Sequence, residues 1–356
     1  MSASSFSQKR FLLGFVFIAA LLAVALFNKS KTSYESNEIT TPQKSVHQGQ
    51  AMGTSFSVVY FTEGAHSEKV IQEKVNQAIA LVNNQMSTYK NDSNLSIFNQ
   101  KPEGSCYRFP VDTYRVIEMA QSISALTNGA FDVTVGPLVN LWGFGPQYKP
   151  EIEPSDEQIQ NLKSTKVGYQ NLELKDDNIV CKSKDIYVDL SAIAKGYAVD
   201  LVAEALDQLS ISSYLVEIGG ELKAKGLKPN QEVWRIAVEN PNSEQQRSVH
   251  KVLELKNTGI ATSGDYRNYY EIDGKRVSHT INPETGKPIE HNLASISVLH
   301  DSVAYADALA TAFNVMGPDK ALALADKEQL AVYMLLKNDQ GFEVKSTPAF
   351  TDNISN

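Results

Sequence analysis

The stretch ATSGDYRNYYEIDGKRVSHTINPETGKP, residues 261–288, contains a β-hairpin pattern with reactive side chains at both of its ends. The run from Arg267 to Ile272 is aromatic and β-prone, Asp273-Gly274 forms a turn, and Lys275 to Ile281 returns. An Asp-Gly pair between two such runs favours a type I′ turn, because both central residues must adopt positive φ. The sequence therefore predicts a strand, a two-residue turn and a second strand.

The flanks of this hairpin carry hydroxyl, carboxylate and imidazole groups. Thr-Ser-Gly-Asp, residues 262–265, leads into the first strand, while Ser278, His279 and Thr280 close the second. The hairpin pattern does not by itself explain such groups at both of its ends. The rest of the chain must explain them.

The bulk composition is that of an acidic globular protein. The chain has 356 residues, 42% of them hydrophobic and 21% charged, which suits one large or two modest globular units. A formal net charge of −8 and the lack of a basic stripe argue against nucleic-acid binding. Cys106 and Cys181 do not have metal-ligand spacing. They could pair in an oxidising compartment, but two separate buried thiols are the expected state.

The N-terminus has the pattern of an export segment. Lys9-Arg10 precedes an apolar run from Phe11 to Phe27, and a polar stretch follows. Cleavage after the small-x-small pattern Ala23-Val24-Ala25 would release the protein, whereas an uncleaved run would anchor it with the positive end inside. No cysteine follows the run, which excludes a lipoprotein anchor.

The remaining elements alternate without a regular repeat. Apolar residues recur at helical spacing in 70–82, 116–123 and 302–316, and Ser155 with Gln158 resembles a capping box for another helix. Strands are predicted near 55–61, 171–175, 179–182, 214–218, 233–239, 249–255 and 293–299, with a closing β pair. Antiparallel groups of strands with helices between them indicate an α+β fold, with mixed or antiparallel sheets and flanking helices.

The segment VDLSAIAKGYAVD, residues 188–200, is the first of three further stretches with chemical potential. A strand is expected to end at Asp189, with Ser191 capping a helix that carries Lys195 in its first turns. The free amides of a helix N-terminus favour an anion, and the lysine adds a full positive charge. The alternative is an ordinary strand-to-helix junction with a surface lysine.

The segment ADALATAF, residues 306–313, is the second stretch. Asp307 and Thr311 are four residues apart, so their oxygens lie on the same helix face. A carboxylate with a hydroxyl suits a hard cation such as Mg²⁺. The alternative is a threonine that bonds back to the preceding turn beside an exposed aspartate.

The third stretch, NGAFDVTVGPLVNLWGFGP, spans residues 128–146. Its glycines, prolines and aromatic residues predict little regular structure, so it is either a packed loop or the wall of a pocket for a flat ring. The chain also lacks the glycine-rich dinucleotide fingerprint, the Walker A lysine, the zinc-protease helix motif and the nucleophile elbow.

Taken in order, these pieces resemble the ApbE family of FAD:protein FMN transferases from Gln50 to about Lys337. The matching pieces are Ala51-Met52-Gly53-Thr54, Ser87-Thr88-Tyr89, Gly129 to Pro146, Asp189 to Asp200, Glu217-Ile218-Gly219-Gly220-Glu221, the hairpin, and Asp307 with Thr311. The resemblance implies a two-lobed, T-fold-like architecture with the active site in the cleft between the lobes. With the export segment and the polar stretch after it, the predicted domains are a signal peptide or membrane anchor at 1–28, a linker at 29–45, an ApbE-like catalytic domain at 46–350 and a tail at 351–356.

The resemblance also implies a reaction and a set of site residues. FAD would be split at its pyrophosphate, FMN transferred to a threonine of a target protein, and AMP released. Mg²⁺ would be held by Asp307, Thr311 and the backbone carbonyl of Ala192. FAD would be bound by a set of cofactor-site residues: Met52, Tyr89, Ala130, Phe131, Asp132, Asp189, Lys195, Thr280 and Ile281.

In this interpretation the hairpin is a scaffold whose two ends deliver groups to one cleft. His279 is the candidate base for the acceptor threonine, since an imidazole is well suited to proton transfer near pH 7. Asp265 is the second candidate. The alternative is that His279 only hydrogen-bonds FAD.

Two other functions compete with protein flavinylation. One is a Mg²⁺-dependent FAD pyrophosphatase with water as the acceptor, and the other is a periplasmic flavin-binding protein without turnover. The family suggests acceptor subunits of membrane redox complexes, such as the Na⁺-translocating NADH:quinone reductase and Rnf-type complexes. With the export segment, this predicts the periplasmic side of a bacterial inner membrane.

Overall fold

An eight-stranded antiparallel sheet organises the fold. The computed structural model describes residues 42–145, 150, 152–241, 249–264, 268–272 and 274–355. Its strands are β1 (Gln43–Ala51), β2 (Thr54–Thr62), β3 (Cys106–Arg108), β4 (Leu172–Lys175), β5 (Ile179–Lys182), β6 (Ser213–Ile218), β7 (Glu221–Lys225), β8 (Trp234–Glu239), β9 (Val249–Leu255), β10 (Thr258–Ser263), β11 (Tyr269–Ile272), β12 (Lys275–Ser278), β13 (Leu293–His300), β14 (Ala331–Asn338) and β15 (Gly341–Ser346).

Helices pack around that sheet and link its strands. They are α1 (Glu68–Met86), α2 (Asn94–Asn99), α3 (Val111–Leu126), α4 (Gly136–Leu141), α5 (Asp156–Lys166), α6 (Ser191–Gln208), α7 (Val303–Met316), α8 (Pro318–Lys327) and α9 (Pro348–Ser355), with one 3₁₀ turn at Tyr169–Asn171. The large sheet has the order β1-β2-β6-β7-β10-β13-β14-β15, and the smaller sheets are β3-β5-β4, β8-β9 and β11-β12. The predicted α+β class with antiparallel sheets is confirmed.

The large sheet is buried on both faces near its centre, which explains why β14 is hydrophobic without interruption over most of its length. Val332, Met334 and Leu336 face the main core, whereas Tyr333 and Leu335 face a second apolar cluster. This alternation follows from the two-residue period of a strand. The main core is filled by α1, α3, α6 and α7, while the second cluster is covered by the β8-β9 pair and by α9.

A third, smaller apolar cluster lies under the hairpin. Leu138 and Trp142 from the region of α4 meet Ile159 of α5 and Val277 and Ile281 of the hairpin arm. The indole N–H of Trp142 donates to the carbonyl of Gly286 at 2.8 Å, which fixes the chain beyond the hairpin. This cluster and the main core form the two sides of a cleft, in agreement with the expected two-lobed arrangement.

The sequence predicted most of these elements with boundaries close to those observed. Ser155 and Gln158 form the reciprocal bonds of a capping box at the start of α5. Asn128 and Gly129 adopt positive φ after α3, so the predicted helix stop is confirmed. The hairpin forms as β11 and β12, with Gly274 at φ +74° in its turn.

Several expectations about local structure are wrong. The residues that lead to Asp189 are not a strand, and Ser191 is the first residue of α6 rather than its cap. Most of residues 128–145 lack regular structure, as expected, but the short helix α4 forms within them. The two cysteines are not separate thiols: Cys106 and Cys181 face each other across β3 and β5 and form a disulfide. Sequence spacing could not reveal this pairing, because it depends on strand register.

The domain limits drawn from the sequence differ slightly from the observed elements. Residues from Pro42 onward form one unit, and β1 begins at Gln43, inside the predicted linker. The predicted signal or anchor, residues 1–28, lies outside the described residues. Throughout the described ranges, no helix combines the length and apolar character needed to cross a bilayer.

Candidate active site

The site is built where α6 and α7 make a close backbone approach. Gly196 of α6 has no side chain, and a Cβ atom there would lie 2.4 Å from the carbonyl oxygen of Val303 and 2.7 Å from the Cα of Ala304. Backbone atoms cannot move aside as a flexible side chain can, so only glycine allows this packing. The contact brings Lys195, beside Gly196, against the first turns of α7.

Asp200 fixes the same pair of helices one turn farther along. Its carboxylate accepts hydrogen bonds from the backbone amides of Val303 and Ala304, both at 3.1 Å, and from the Ser302 hydroxyl at 2.9 Å. A carboxylate at a helix N-terminus satisfies amides that have no partner inside the helix. Lys223 of β7 pairs with the same carboxylate at 3.0 Å, so the sheet is tied to this junction as well.

Two buried carboxylates, Glu221 and Asp307, and the half-buried ammonium of Lys195 form a charged trio at the junction. The ammonium Nζ of Lys195 lies 3.0 Å from Oε1 of Glu221 and 3.4 Å from Oδ2 of Asp307. The backbone amide of Gly196 also donates to Oδ2 of Asp307 at 3.1 Å. Asp307 is 6% exposed and Glu221 is 4% exposed. Lys195 is therefore not an ordinary surface lysine, and Asp307 is not the exposed aspartate of the alternative interpretation.

The charge balance of this trio favours a further cation. Burial raises the pKa of Glu221 to about 8, and Asp307 adds to the rise while Lys195 opposes it. Burial also raises the pKa of Asp307, although Lys195 and the Gly196 amide lower it. Burial alone would lower the pKa of Lys195, but the two carboxylates outweigh it and the pKa is raised. A raised pKa favours the protonated carboxyl, whereas a cation beside these two groups would favour their ionised forms.

Two cavities meet at Lys195 and Ser191. The first, of about 310 Å³, lies between the main core and the small cluster under the hairpin. Its walls include most of the predicted site residues: Ala130, Phe131, Asp132, Asp189, Ala192, Lys195, His279, Thr280, Ile281, Asp307 and Thr311. The second, of about 660 Å³, is lined by the turn between β1 and β2 and by the end of α1, and includes Met52 and Tyr89.

Oxygen atoms suited to a hard cation converge on the first cavity. In a regular α-helix the amide of Gly196 faces the carbonyl of Ala192, and here that amide donates to Asp307. The Asp307 carboxylate is consequently held next to the Ala192 carbonyl, with Thr311 one turn farther along α7. Within the described ranges, no three His, Cys, Asp or Glu side chains gather as a metal cluster. The candidate ligand set is one carboxylate with a hydroxyl and a carbonyl.

Two aspartates shape the loops of the first cavity. Asp132 accepts from the amide and hydroxyl of Thr134, at 2.8 and 2.6 Å, and from the Tyr169 amide at 3.0 Å. Burial raises the pKa of Asp132, although these bonds lower it. Asp189 accepts from the amide of Ser191 at 2.9 Å and also from its hydroxyl. Both carboxylates hold backbone in place at the cavity wall.

Asn314 joins the two ends of the hairpin region to α7. Its amide nitrogen lies 3.4 Å from the Ser263 hydroxyl and 3.3 Å from the Thr280 hydroxyl. Asn314 is fully buried, and Thr311 precedes it by three residues on the same helix. The hydroxyls that flank the hairpin therefore have a structural purpose, because they attach both of its ends to the helix that carries Asp307.

His279 enters the first cavity from the end of β12. Its Nδ1 lies 3.0 Å from the carbonyl oxygen of Asn268. A carbonyl can only accept, so a neutral ring carries its proton on Nδ1 and leaves Nε2 as the basic nitrogen. Phe144 contacts the ring edge-on, with centroids 6.2 Å apart.

The second cavity is bordered by two tight turns. Met52 and Gly53 adopt positive φ, +52° and +75°, between β1 and β2. Positive φ is uncommon for a methionine, and residues in such strained conformations cluster at binding and active sites. Gly219 at φ +65° packs beside Lys195, since a Cβ atom there would meet Cδ of the lysine at 3.3 Å.

The structure thus brings the predicted site residues together, with one exception. Every one that it describes lines one of the two cavities. Asp265 lies outside the described residues. Sequence reasoning assigned no role to Glu221 or Asn314. The two glycines before Glu221 marked a turn, but nothing in the sequence showed that the turn would place this carboxylate against Lys195.

Comparison with known proteins points to one family. The family model of the ApbE family matches residues 52–334, a range that contains every predicted site residue. The chain belongs to the ApbE family. A relative from Vibrio cholerae named FAD:protein FMN transferase is 43% identical over 88% of this chain and 94% of its own length. A relative of the same name from Haemophilus influenzae is 43% identical over 96% of this chain and 98% of its own length.

Solved ApbE structures share the fold. The apo form of the Pseudomonas stutzeri flavinyl transferase ApbE has a TM-score of 0.81 and 41% identity, and it covers 88% of this chain and 98% of its own. The Vibrio cholerae flavin transferase ApbE has a TM-score of 0.81 and 40% identity, covering 88% and 99%. The family and the transferase class predicted from the sequence are confirmed.

Proposed function

We propose that this ApbE protein is a Mg²⁺-dependent FAD:protein FMN transferase that attaches FMN to a threonine of a target protein and releases AMP. The observation that carries the proposal is the pair of cavities that meet at Lys195. FAD consists of two ring systems joined by a diphosphate. One ring system fits each cavity, and the diphosphate then lies at Lys195, whose ammonium favours an anion.

The residues present fit a magnesium ion. Asp307, Thr311 and the Ala192 carbonyl would hold it, because hard oxygen donors are the ligands that Mg²⁺ prefers. The two buried carboxylates beside a single ammonium support a further cation there. When bound, Mg²⁺ supplies charge neutralisation at the phosphate oxygens.

In the proposed reaction, His279 and Lys195 have separate roles. His279 Nε2 accepts the proton of the acceptor threonine, whose hydroxyl oxygen bonds to the phosphorus of the FMN phosphate. The bond from this phosphorus to the bridging oxygen breaks, and AMP leaves with that oxygen and its electron pair. Lys195 stabilises the charge that develops on the diphosphate. The proton on His279 can then pass to the departing phosphate or to solvent.

An assay with purified full-length chain, FAD and Mg²⁺ tests the proposal. With a threonine-containing acceptor protein, we expect AMP and covalently fluorescent acceptor in equal amounts. A matched acceptor with alanine in place of the threonine should give neither product above background. AMP and free FMN regardless of acceptor would indicate a pyrophosphatase, and FAD binding without AMP would indicate a carrier.

The proposed location is the periplasmic side of a bacterial inner membrane, with subunits of membrane redox complexes as acceptors. The disulfide between Cys106 and Cys181 supports export, because disulfides persist in oxidising compartments. Fusing alkaline phosphatase, which is active only after export, behind Lys44 tests this. An inactive fusion would place the domain in the cytoplasm.

A further inference from the structure

Glu221 is the member of the charged trio that the proposed reaction does not use. It is the first residue of β7, directly after the turn at Gly219 and Gly220, and it lines the first cavity. Its Oε1 accepts from Lys195 at 3.0 Å. Among the residues that the structure describes, none offers a hydrogen bond to its buried Oε2.

The geometry gives Lys195 two competing acceptors. The ammonium is nearer to Glu221, at 3.0 Å, than to Asp307, at 3.4 Å. Gly219 packs beside the lysine stem, because a Cβ atom there would lie 3.3 Å from Cδ. Glu221 at the start of β7 and Asp307 in α7 therefore contact the Lys195 ammonium from two different elements.

We propose that Glu221 is a positioning residue that holds the Lys195 ammonium partly away from Asp307, so that the Asp307 carboxylate stays available to a divalent cation. This inference rests on the proposed metal role of Asp307. Without Glu221, Asp307 would be the one carboxylate partner left to Lys195 among the described residues, and a cation would have to displace a buried charge-assisted hydrogen bond. Bonds of that kind are the stronger ones in proteins.

The test measures binding of Mn²⁺ alone, by the loss of its free-ion EPR signal, in the absence of FAD. Glu221→Met has a side chain of similar length without an acceptor, and should weaken binding about tenfold or more, as expected when a hydrogen bond to a charged group must be displaced. Glu217→Met removes a carboxylate from the same turn, where it accepts from the Gly220 amide rather than from Lys195. This control should bind Mn²⁺ within about twofold of the unmodified chain, the scatter expected for a change outside the site.

A double-mutant cycle with Lys195→Met separates positioning from simple charge. Lys195→Met should bind Mn²⁺ more tightly than the unmodified chain, because Asp307 loses its competitor. In the Lys195→Met variant, adding Glu221→Met should weaken Mn²⁺ binding several-fold less than Glu221→Met does in the unmodified chain. The reason is that the ammonium with which Glu221 interacts is absent. Thermal unfolding of each variant confirms that it is folded.

The outcomes distinguish this inference from the proposed function. Equal effects of Glu221→Met in both backgrounds would mean that Glu221 acts through its charge alone and would overturn the positioning role. Unchanged binding in Glu221→Met, or equal loss in Glu217→Met, would also overturn it. A folded unmodified chain that binds no Mn²⁺ or Mg²⁺ would instead overturn the metal role, and this inference with it.

Discussion

Gly196 and Val303 approach so closely that a single methyl group between them would collide with backbone: a Cβ atom on Gly196 would lie 2.4 Å from the Val303 carbonyl oxygen. This contact fixes the distance between the helix that carries Lys195 and the helix that carries Asp307. The geometry of the site therefore depends on a residue with no functional group. Substitutions can separate such positional effects from chemical ones.

Gly196→Ala should destabilise the protein even though alanine favours a helix. Overpacking a core typically costs about 1–3 kcal/mol, and a clash with backbone at 2.4 Å favours the upper end, which exceeds the gain of roughly 1 kcal/mol in helix propensity. The separation of α6 and α7 should also weaken cation binding. Thermal unfolding and Mn²⁺ binding measure the two effects, and a variant as stable as the parent would show that the helices can move apart freely.

Asp307→Asn should abolish transfer. The amide keeps an oxygen for the Gly196 N–H but loses the charge, so transfer should fall on the order of 10³-fold or more, as for the loss of several kcal/mol of transition-state stabilisation. Because Asp307 is buried and paired, we expect a lower Tm as well. Rates are measured against Mg²⁺ concentration, with exposed Asp301→Asn as the control. Parental rates at limiting Mg²⁺ would refute the metal assignment.

His279→Ala should separate binding from chemistry. Loss of one neutral hydrogen bond costs about 0.5–1.5 kcal/mol, so FAD affinity should stay within about tenfold of the parent. The transfer rate should fall much further, by ~10²–10⁴, which is the usual contribution of a general base. The matched control is His250→Ala, since His250 contacts Tyr333 in β14. Equal losses of affinity and rate would identify His279 as a ligand contact.

Asn314→Leu should loosen the hairpin region. The Ser263 and Thr280 hydroxyls lose their shared partner inside the protein, and a buried unsatisfied group such as the Thr280 hydroxyl costs about 1–3 kcal/mol. We expect a lower Tm and a reduced kcat, because His279 adjoins Thr280. Hydrogen exchange of residues 268–281 provides a direct measurement, and unchanged protection there would contradict the role of Asn314.

Reduction of the disulfide should lower the Tm without directly affecting the chemistry. Cys106 and Cys181 are separated by 75 residues, and a closed loop of this size contributes roughly 2–5 kcal/mol of stability. Unfolding is measured with and without dithiothreitol. The Cys106→Ser, Cys181→Ser double variant should match the reduced protein and be insensitive to reductant. A parent that is equally stable when reduced would show that the bond contributes little.

The sequence by itself determined the α+β class, the family, and most of the helices and strands. The reason is that these features are local or ordered along the chain. The capping box at Ser155, the stop at Gly129 and the hairpin turn at Gly274 each depend on residues that are neighbours in sequence. The order of the family motifs along the chain also identified the site residues, and all of those that the structure describes line the two cavities.

Only the tertiary structure decided which groups act on one another. Glu221 is 26 residues from Lys195 and Asp307 is 112 residues away, so no local pattern links the three. The disulfide was likewise hidden, because strand register places Cys106 opposite Cys181. Burial of Asp307 follows from the Gly196 contact, and a helical pattern alone could not distinguish a buried carboxylate from an exposed one. Long-range packing sets these distances, and through them the charge balance of the site.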